Sequence, residues 1–584
     1  MPLIASQSRK LQAVSSRLIG TTHTGMDILE SDTRNELPSL LWPPGHQRDT
    51  RSQGLSDQQS LDLGLDVLVR ELDWGNLHAR HVRTVLLGLV ADPVVIAYRQ
   101  AIVAELRTDP QLRAAITALL PSLAELAQPR STVWAQESPL LLVPPRLSDL
   151  ELYVGCVQDL HAALAAAERH ASGLRALQAY LHTTRAAEQF QTLVAELPGL
   201  RAQLDQVASV TVGVNLDRDL RPLSATLVAL NREPFTGPRS ITQRLFGRST
   251  PPGLSAMTAL RHVAERSPET DPLARDLAKV LAEVVQPVAA GLERYQRLHA
   301  RPLAALAPEL AFFLAAVELA ERFTQQGLPT CLPAISNDAH NLNEAYNPAL
   351  ALQLANARQS NGAHSSPAIV RNPVDFDRGR IVLLTGPNRG GKTTYIRTVG
   401  LNQVLFQAGV YVAAADGKMT PVDAILTHFP PVESVEPGGG RLDQEARRLR
   451  EMFAAATTHS LLLFNEPLTS TSEREAHGLA SDVLRALGLL GARAVFVTHL
   501  HSLAADLALL NNGAHRAHIV SWVAGVGDDA ARTYNIRPGQ PATFSHAMTI
   551  AQQHGITFAQ LAQQLTERGV IEPPRPEAPP SSLH

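Results

Sequence analysis

Cysteine is nearly missing from this chain: Cys156 and Cys331 are the only two in 584 residues. They lie far apart, with no CxxC pairing and no nearby histidine at metal-ligand spacing. That excludes a disulfide framework, and two reduced, buried thiols are expected. Lysine is almost as scarce, with Lys10, Lys279, Lys392 and Lys418 set against 48 arginines, a compositional bias that carries no function by itself. An excess of one charge is also lacking. At a net −3 no global basic field surrounds the chain, so any contact with nucleic acid must come from a local patch. No apolar run approaches membrane-spanning length, and the N-terminus lacks the apolar core of a signal peptide, residues 5–17 hinting only at an amphipathic arm. A cytoplasmic protein with no membrane partner is the expectation.

What is present is a long chain with ample apolar content, 45% hydrophobic and 18% charged residues, enough for several domains. Residues 1–55 mix short apolar clusters with Pro38, Pro43, Pro44 and Gly45 and are expected to form a partly ordered arm. From Leu61 to Pro348 apolar residues recur at helical spacing, as in Leu112, Ile116, Leu119 and Leu120, or Leu174, Leu177 and Leu181. One segment breaks this rule. Val210–Val214 alternates like a strand, and the chain behind it is punctuated by prolines and glycines. That net-basic stretch carries Arg232, Arg239, Arg244 and Arg248. It reads equally as a tip that meets a phosphate backbone or as a solvated loop. Beyond Leu352 strand-like runs alternate with helical stretches, which predicts an α/β domain. The end, Pro573–Ser582, is too rich in proline to fold and is expected to be a tail.

The richest stretch is Ile381-Val-Leu-Leu-Thr-Gly-Pro-Asn-Arg-Gly-Gly-Lys-Thr-Thr394. A strand-type run enters a glycine loop and continues into a helical segment, Tyr395 to Leu405, the context in which a Gly-x4-Gly-Lys-Thr pattern is a phosphate-binding loop. Gly386, Gly390 and Gly391 let backbone N–H groups turn inward toward phosphate oxygens, and the next helix adds the positive end of its dipole. Lys392 supplies a mobile cation for the β- and γ-phosphates, and the Thr393 hydroxyl is placed for Mg2+. The candidate nucleotide-binding set is therefore Gly386, Pro387, Asn388, Arg389, Gly390, Gly391, Lys392, Thr393 and Thr394.

A second buried run, Ser460-Leu-Leu-Leu-Phe-Asn-Glu-Pro467, ends in two polar residues, as the strand opposite such a loop does. Glu466 stands where a general base belongs, and the metal-side position is Asn465 rather than Asp. An amide adds no negative charge to hold the cation, so slow turnover is expected. After the next strand, His499 follows Thr498 at the end where nucleotides bind in such sheets. A lone histidine is more often structural; in third place behind the two motifs it reads as a γ-phosphate sensor or water-positioning group.

These motifs, in this order, resemble the ATPase domain of the MutS family of DNA mismatch-repair proteins. Thr385–Arg397 is similar to the family's phosphate loop, and Gln407–Ala414 and Pro421–Ile425 to the segment after it. Leu468–Ser472 resembles the hydroxyl-rich loop behind the second motif. Tyr534–Pro541, Ser545 and Ile550–Gly555 are similar to the C-terminal dimerisation element. Asp92–Gln100 and Val212–Asp217 resemble the core and clamp more loosely.

The resemblance implies an α/β P-loop NTPase domain of ABC/MutS type at the C-terminus, preceded by a mainly α-helical core and lever region with a small clamp-like β insertion. In residue numbers this is an arm (1–55), a helical core/lever (56–208), a basic clamp-like insertion (209–255), a helical return (256–345), an ATPase domain (346–565) and a tail (566–584). ATP or ADP with Mg2+ is the implied cofactor set, with Glu466 and His499 catalytic and Thr393 and Asn465 at the metal. The implied partners are structured double-stranded DNA, a second copy through the ATPase domains and a downstream repair protein, which suggests a nucleoid-associated protein. The resemblance also raises the DNA-binding reading of the four arginines.

Three departures qualify these expectations. The match starts at the core, so mismatch reading by an intercalating aromatic is not expected, and too little tail follows the ATPase for a nuclease module. Asn465 replaces an acid. The loop that reaches the partner's nucleotide carries Gly439, Gly440 and Arg441 without its hydroxyl. An ATP-driven DNA clamp is the first expectation, and a nucleotide-gated interaction scaffold with weak or no hydrolysis is the alternative.

Overall fold

A computed structural model describes residues 37–46, 53–76, 78–127, 142–206, 208–219, 222–234, 285–295, 301–361, 368–430, 440–513, 515–526, 532–540, 552 and 554–570. They form two compact units, one built from Met1–Pro44 with Ala104–Leu314 and the other from Gly45–Val103 with Ala315–His584.

The first unit is helical. Helix Val143–Ala165 buries Leu147, Leu150, Val154, Val157, Leu160 and Leu164. Its neighbours are helices Pro110–Ala127, Ser172–Ala186 and Glu188–Leu204. Each brings its own apolar stripe, such as Phe190, Leu193, Leu197 and Leu200, so the core forms where 3.6-residue periodicities face one another. Helix Pro110–Ala127 begins with proline, whose missing N–H costs nothing there, and Asp109 caps it by accepting from the Leu112 amide at 2.9 Å. A buried guanidinium ties this corner together: Arg169 lies 2.9 Å from Asp109 and 3.4 Å from Glu105. The Ser39 hydroxyl and Leu40 amide both donate to Glu309, so part of the expected arm is ordered. Strand β1 (Ser209–Leu216) pairs antiparallel with β2 (Pro222–Asn231), with two register irregularities. The Val210–Val214 alternation marked β1, whereas β2 opens on proline and carries no clean alternation.

The second unit contains a four-stranded and a six-stranded sheet. The small sheet runs β3 (Ala334–Ile335), β7 (Asp416–Met419), β4 (Asn341–Ala345), β5 (Asn372–Asp375). The large one runs β12 (Arg532–Pro538), β11 (Ile519–Val526), β6 (Ile381–Thr385), β10 (Arg493–Val497), β9 (Leu461–Asn465), β8 (Ile425–His428). From β11 to β8 its strands are parallel, and only β12 is reversed. Every residue of β6, β8, β9 and β10 is buried, which is why these strands read as unbroken apolar runs. Helix Lys392–Gln407 follows β6 and is buried along almost its whole length.

Part of that helix is covered by residues far away in sequence. It packs against helices Asp57–Leu63 and Ala79–Leu87. Arg397 donates to the Asp62 carbonyl at 2.8 Å, Gln407 to that of Val90 at 2.8 Å, and the Thr427 hydroxyl to the Asp62 carboxylate at 2.6 Å. Gly409, at φ +76°, leaves room for Arg99: a Cβ there would sit 2.3 Å from that of Arg99. The compact units therefore cut across the expected ranges. Residues 45–103 join the nucleotide-motif unit rather than a 56–208 helical region, and the small sheet begins at Ala334, before 346. These are contacts between distant segments, which local periodicity does not encode.

One expectation is corrected. Helix Pro302–Gln325 is long and apolar enough to cross a membrane by length and composition. Its most apolar window is 78% buried inside the protein, so it packs as a core helix. The Pro573–Ser582 tail lies outside the described residues.

Candidate functional site

The site lies at the C-terminal ends of the parallel strands. β6 stops at Thr385 and the chain turns through residues 386–391 into helix Lys392–Gln407. Gly386 takes φ +139° and Gly391 φ +93°, as only glycine does without strain. Gly390 is needed for room instead: a Cβ would meet the Pro387 carbonyl oxygen at 2.9 Å and the Ala524 side chain of β11 at 3.3 Å. The third left-handed position is Arg389, at φ +61°, a non-glycine residue strained at the tip of the loop and exposed, as is Asn388. The Thr394 carbonyl accepts from Asn347 at 3.4 Å and from Thr398 at 2.9 Å, which anchors the first helical turn.

Lys392 is buried. Its ammonium donates to the carbonyls of Gly386 (2.8 Å) and Pro387 (3.1 Å), closing the loop on itself, and stands 3.5 Å from a Glu466 carboxylate oxygen. Burial lowers its pKa from the ordinary lysine range, against the opposing pull of Glu466. Beside it the Thr393 hydroxyl donates to Asn465 Oδ1 at 3.3 Å. Lys392 and Thr393 open the helix reached from β6, and Asn465 and Glu466 stand at the end of β9, with β10 between the two strands. The two motifs therefore meet in space over β10. Glu466 also has left-handed backbone, φ +50°, as does Leu468 at φ +63°. The Glu466 amide still donates to the Val497 carbonyl at 2.9 Å, so the chain keeps one more ladder bond and then turns sharply, which aims the carboxylate at the loop.

β10 continues into Thr498, whose amide bonds the Leu384 carbonyl of β6 at 3.0 Å. His499 follows and is exposed. Two neighbours escaped sequence reasoning. His501 lies near Lys392, His499 and Glu473; burial first, then the Lys392 ammonium, lowers its pKa. Its only signal was a second histidine two residues after the first. Tyr534 of β12, which the sequence places in a dimerisation element, has φ +56° and a half-exposed ring, and a Cβ on Gly391 would touch that ring at 3.3 Å. Asn372 holds it by donating to the Tyr534 carbonyl at 3.1 Å.

The remaining candidates do not join this cluster. Gly440 caps helix Arg441–Ala455, which packs on the edge strand β8; Gly440 and Arg441 are exposed, and Gly439 lies outside the described residues. Arg232 is exposed directly after β2. Arg239, Arg244 and Arg248 lie outside the described residues. Among the described residues no three histidine, cysteine or acidic side chains are arranged to hold a metal.

Comparison with known proteins divides the chain in two. Residues 382–567 match the model of MutS domain V, and residues 91–326 match the MutS2 N-terminal domain. An endonuclease MutS2 of Thermus thermophilus is 36% identical over 140 residues, 24% of this chain and 19% of that protein. A DNA mismatch repair protein MutS of Synechococcus is 33% identical over 201 residues, 34% of this chain and 22% of that protein. A DNA mismatch repair protein MutS 2 of Halobacterium salinarum is 32% identical over 182 residues, 31% and 20% of the two chains. The aligned part thus spans about a fifth of the length of these relatives.

Proposed function

Because the chain belongs to the MutS family, we propose that it is an ATP-dependent DNA-binding clamp, in which nucleotide at the 386–394 loop controls the grip on DNA. The observation that carries this reading is the convergence of Lys392 and Thr393 with Asn465 and Glu466 from two strands separated by β10. That arrangement suits a polyphosphate on the helix N-terminus with a carboxylate at the far end of its phosphate chain.

The resting contacts define what each residue does when ATP enters. Phosphate oxygens replace the Gly386 and Pro387 carbonyls and the Glu466 carboxylate as partners of Lys392. Glu466, relieved of its cation, accepts a proton from the water that attacks the γ-phosphorus, and the bond from that phosphorus to the bridging oxygen breaks to leave ADP and phosphate. Tyr534 offers its half-exposed ring to the base or ribose, and His499 senses the γ-phosphate or positions the water, with His501 beside it. Thr393 and Asn465 would be the residues to hold Mg2+, which would supply charge stabilisation on the phosphates. Both side chains are neutral and hydrogen-bonded to each other, and Glu466 is used as the base, so this donor set does not fit a divalent cation held tightly by the protein, and no step above depends on one. The family reading also supports a homodimer through the ATPase domains, with Arg232 and the arginines after it at a DNA backbone.

Steady-state ATP turnover, with and without duplex, mismatched and branched DNA, tests the proposal. Turnover stimulated by DNA and lost in Lys392→Ala and Glu466→Ala supports the clamp. Tight ATP binding without turnover under any condition would replace it with a nucleotide-gated scaffold, the reading that Asn465 and the Lys392–Glu466 pair favour.

A further inference from the structure

We propose that this site binds ATP and ADP as the free, metal-less nucleotides almost as tightly as it binds them with Mg2+. The inference rests on the nucleotide-binding reading above and concerns how the site balances charge.

In a phosphate site whose second strand ends in two acids, the protein places two negative charges beside a ligand that is itself strongly negative. A divalent cation must then lie between them for the nucleotide to bind well. Here one of those charges is missing. Asn465 is buried and points its amide oxygen at the Thr393 hydroxyl, 3.3 Å away. The other, Glu466, is offset by Lys392 at 3.5 Å. Arg389 adds a second positive charge at the exposed tip of the loop. Counting these side chains, Lys392 and Arg389 against Glu466 give the site one positive charge in excess, where an acid at 465 would leave it neutral. The loop amides and the helix dipole add to that surplus.

The same surplus removes the protein's hold on the cation. Mg2+ prefers anionic oxygens in a strict octahedron, and Thr393 and Asn465 offer two neutral oxygens already bonded to each other. Any cation in the site is held by the nucleotide's own phosphates and adds little to the affinity of the protein for the nucleotide. Binding and hydrolysis are thereby separated: the site fills without metal, while transfer of the γ-phosphoryl group gains from whatever cation the nucleotide carries.

Calorimetric titration of the full-length protein with ATP and with ADP, in excess Mg2+ and in excess EDTA, reads this directly. The expected result is a Kd within about threefold between the two buffers. Asn465→Asp is expected to weaken binding in EDTA by about tenfold or more while binding in Mg2+ is kept. Electron paramagnetic resonance of Mn2+ supplies a second readout that needs no variant: the wild-type complex with ATP should hold Mn2+ no tighter than free ATP does. A loss of more than about tenfold for the wild type in EDTA, or Mn2+ held more than about tenfold tighter than by free ATP, overturns the inference. Absence of binding heat in both buffers overturns the nucleotide-binding reading itself, so the two failures are told apart.

Discussion

The helical unit and the sheet-bearing unit bury similar kinds of side chain on very different backbones. In the helical unit the stripes of Val143–Ala165 and its neighbours interlock, the buried Arg169 is matched by two carboxylates, and the described non-glycine residues all keep negative φ. Leu89, Glu344, Arg389, Glu466, Leu468 and Tyr534 take positive φ, and all six belong to the sheet-bearing unit. Arg389 lies in the 386–391 loop itself, and Glu466 and Tyr534 adjoin its end at Gly391 and Lys392. Strain of this kind costs about 1–3 kcal/mol at each position and persists where the surroundings over-determine it. The difference teaches that the described part of the helical unit is held by packing without backbone strain, whereas the other unit spends part of its stability on aiming side chains at the loop.

Substitutions that act on one unit and spare the other test this contrast. The largest effect is expected from Lys392→Ala, which removes the cation at the centre of the loop. Nucleotide affinity should fall about a thousandfold by calorimetry, with hydrogen-exchange protection in the helical unit unchanged. Two changes of structure come next and should separate the units. Arg169→Ala leaves Glu105 and Asp109 without their buried partner and should cost the helical unit about 3 kcal/mol with nucleotide binding intact. Gly409→Ala forces a Cβ against Arg99 at left-handed φ and should cost the sheet-bearing unit about 3 kcal/mol, loosening helix Lys392–Gln407. Loss of exchange protection throughout the chain in either variant would break the comparison. Tyr534→Ala is a smaller change, expected to weaken nucleotide binding about tenfold through loss of ring contact without lowering the melting temperature.

The smallest effect is a difference in pH response. Burial pushes the pKa of His340 down to about 3 and that of His428 down to about 4, each helped by a neighbouring arginine. Both pKa values lie below that of an unfolded histidine, so the unfolded chain binds more protons. The stability these residues contribute is fully present above about pH 6.5 and is lost as pH falls toward 4 and then 3. Both lie in the sheet-bearing unit, so on acidification its exchange protection should drop before that of the helical unit. His161 of the helical unit shifts in the same direction but is mostly solvated and adds little.

The local chemistry of the site was legible in the sequence because each motif is a contiguous run: β6 with its loop, and β9 with Asn465 and Glu466. Buried parallel strands announce themselves as apolar runs, and β10 was visible for the same reason. What could not be read is what distant segments do to each other. β4 and β7 are short, polar central strands of the small sheet without clean alternation, and Asp62 and Gly409 reveal their purpose only once residues 53–103 lie against helix Lys392–Gln407. Tyr534 reaches Gly391 because β12 closes the sheet beyond β11, a fact of topology rather than of any local pattern. The arginines after β2 remain a matter of composition, since only Arg232 among them is described.

The central claim is that nucleotide at the loop and DNA elsewhere on the protein report to each other, and binding linkage makes that reciprocal. The most direct measurement is the affinity of the full-length protein for a branched or mismatched duplex by fluorescence anisotropy, with no nucleotide, with ADP and with ATP. The account predicts a change of about tenfold between ATP and the nucleotide-free protein, absent in Lys392→Ala. Identical DNA affinity in all three conditions would contradict it.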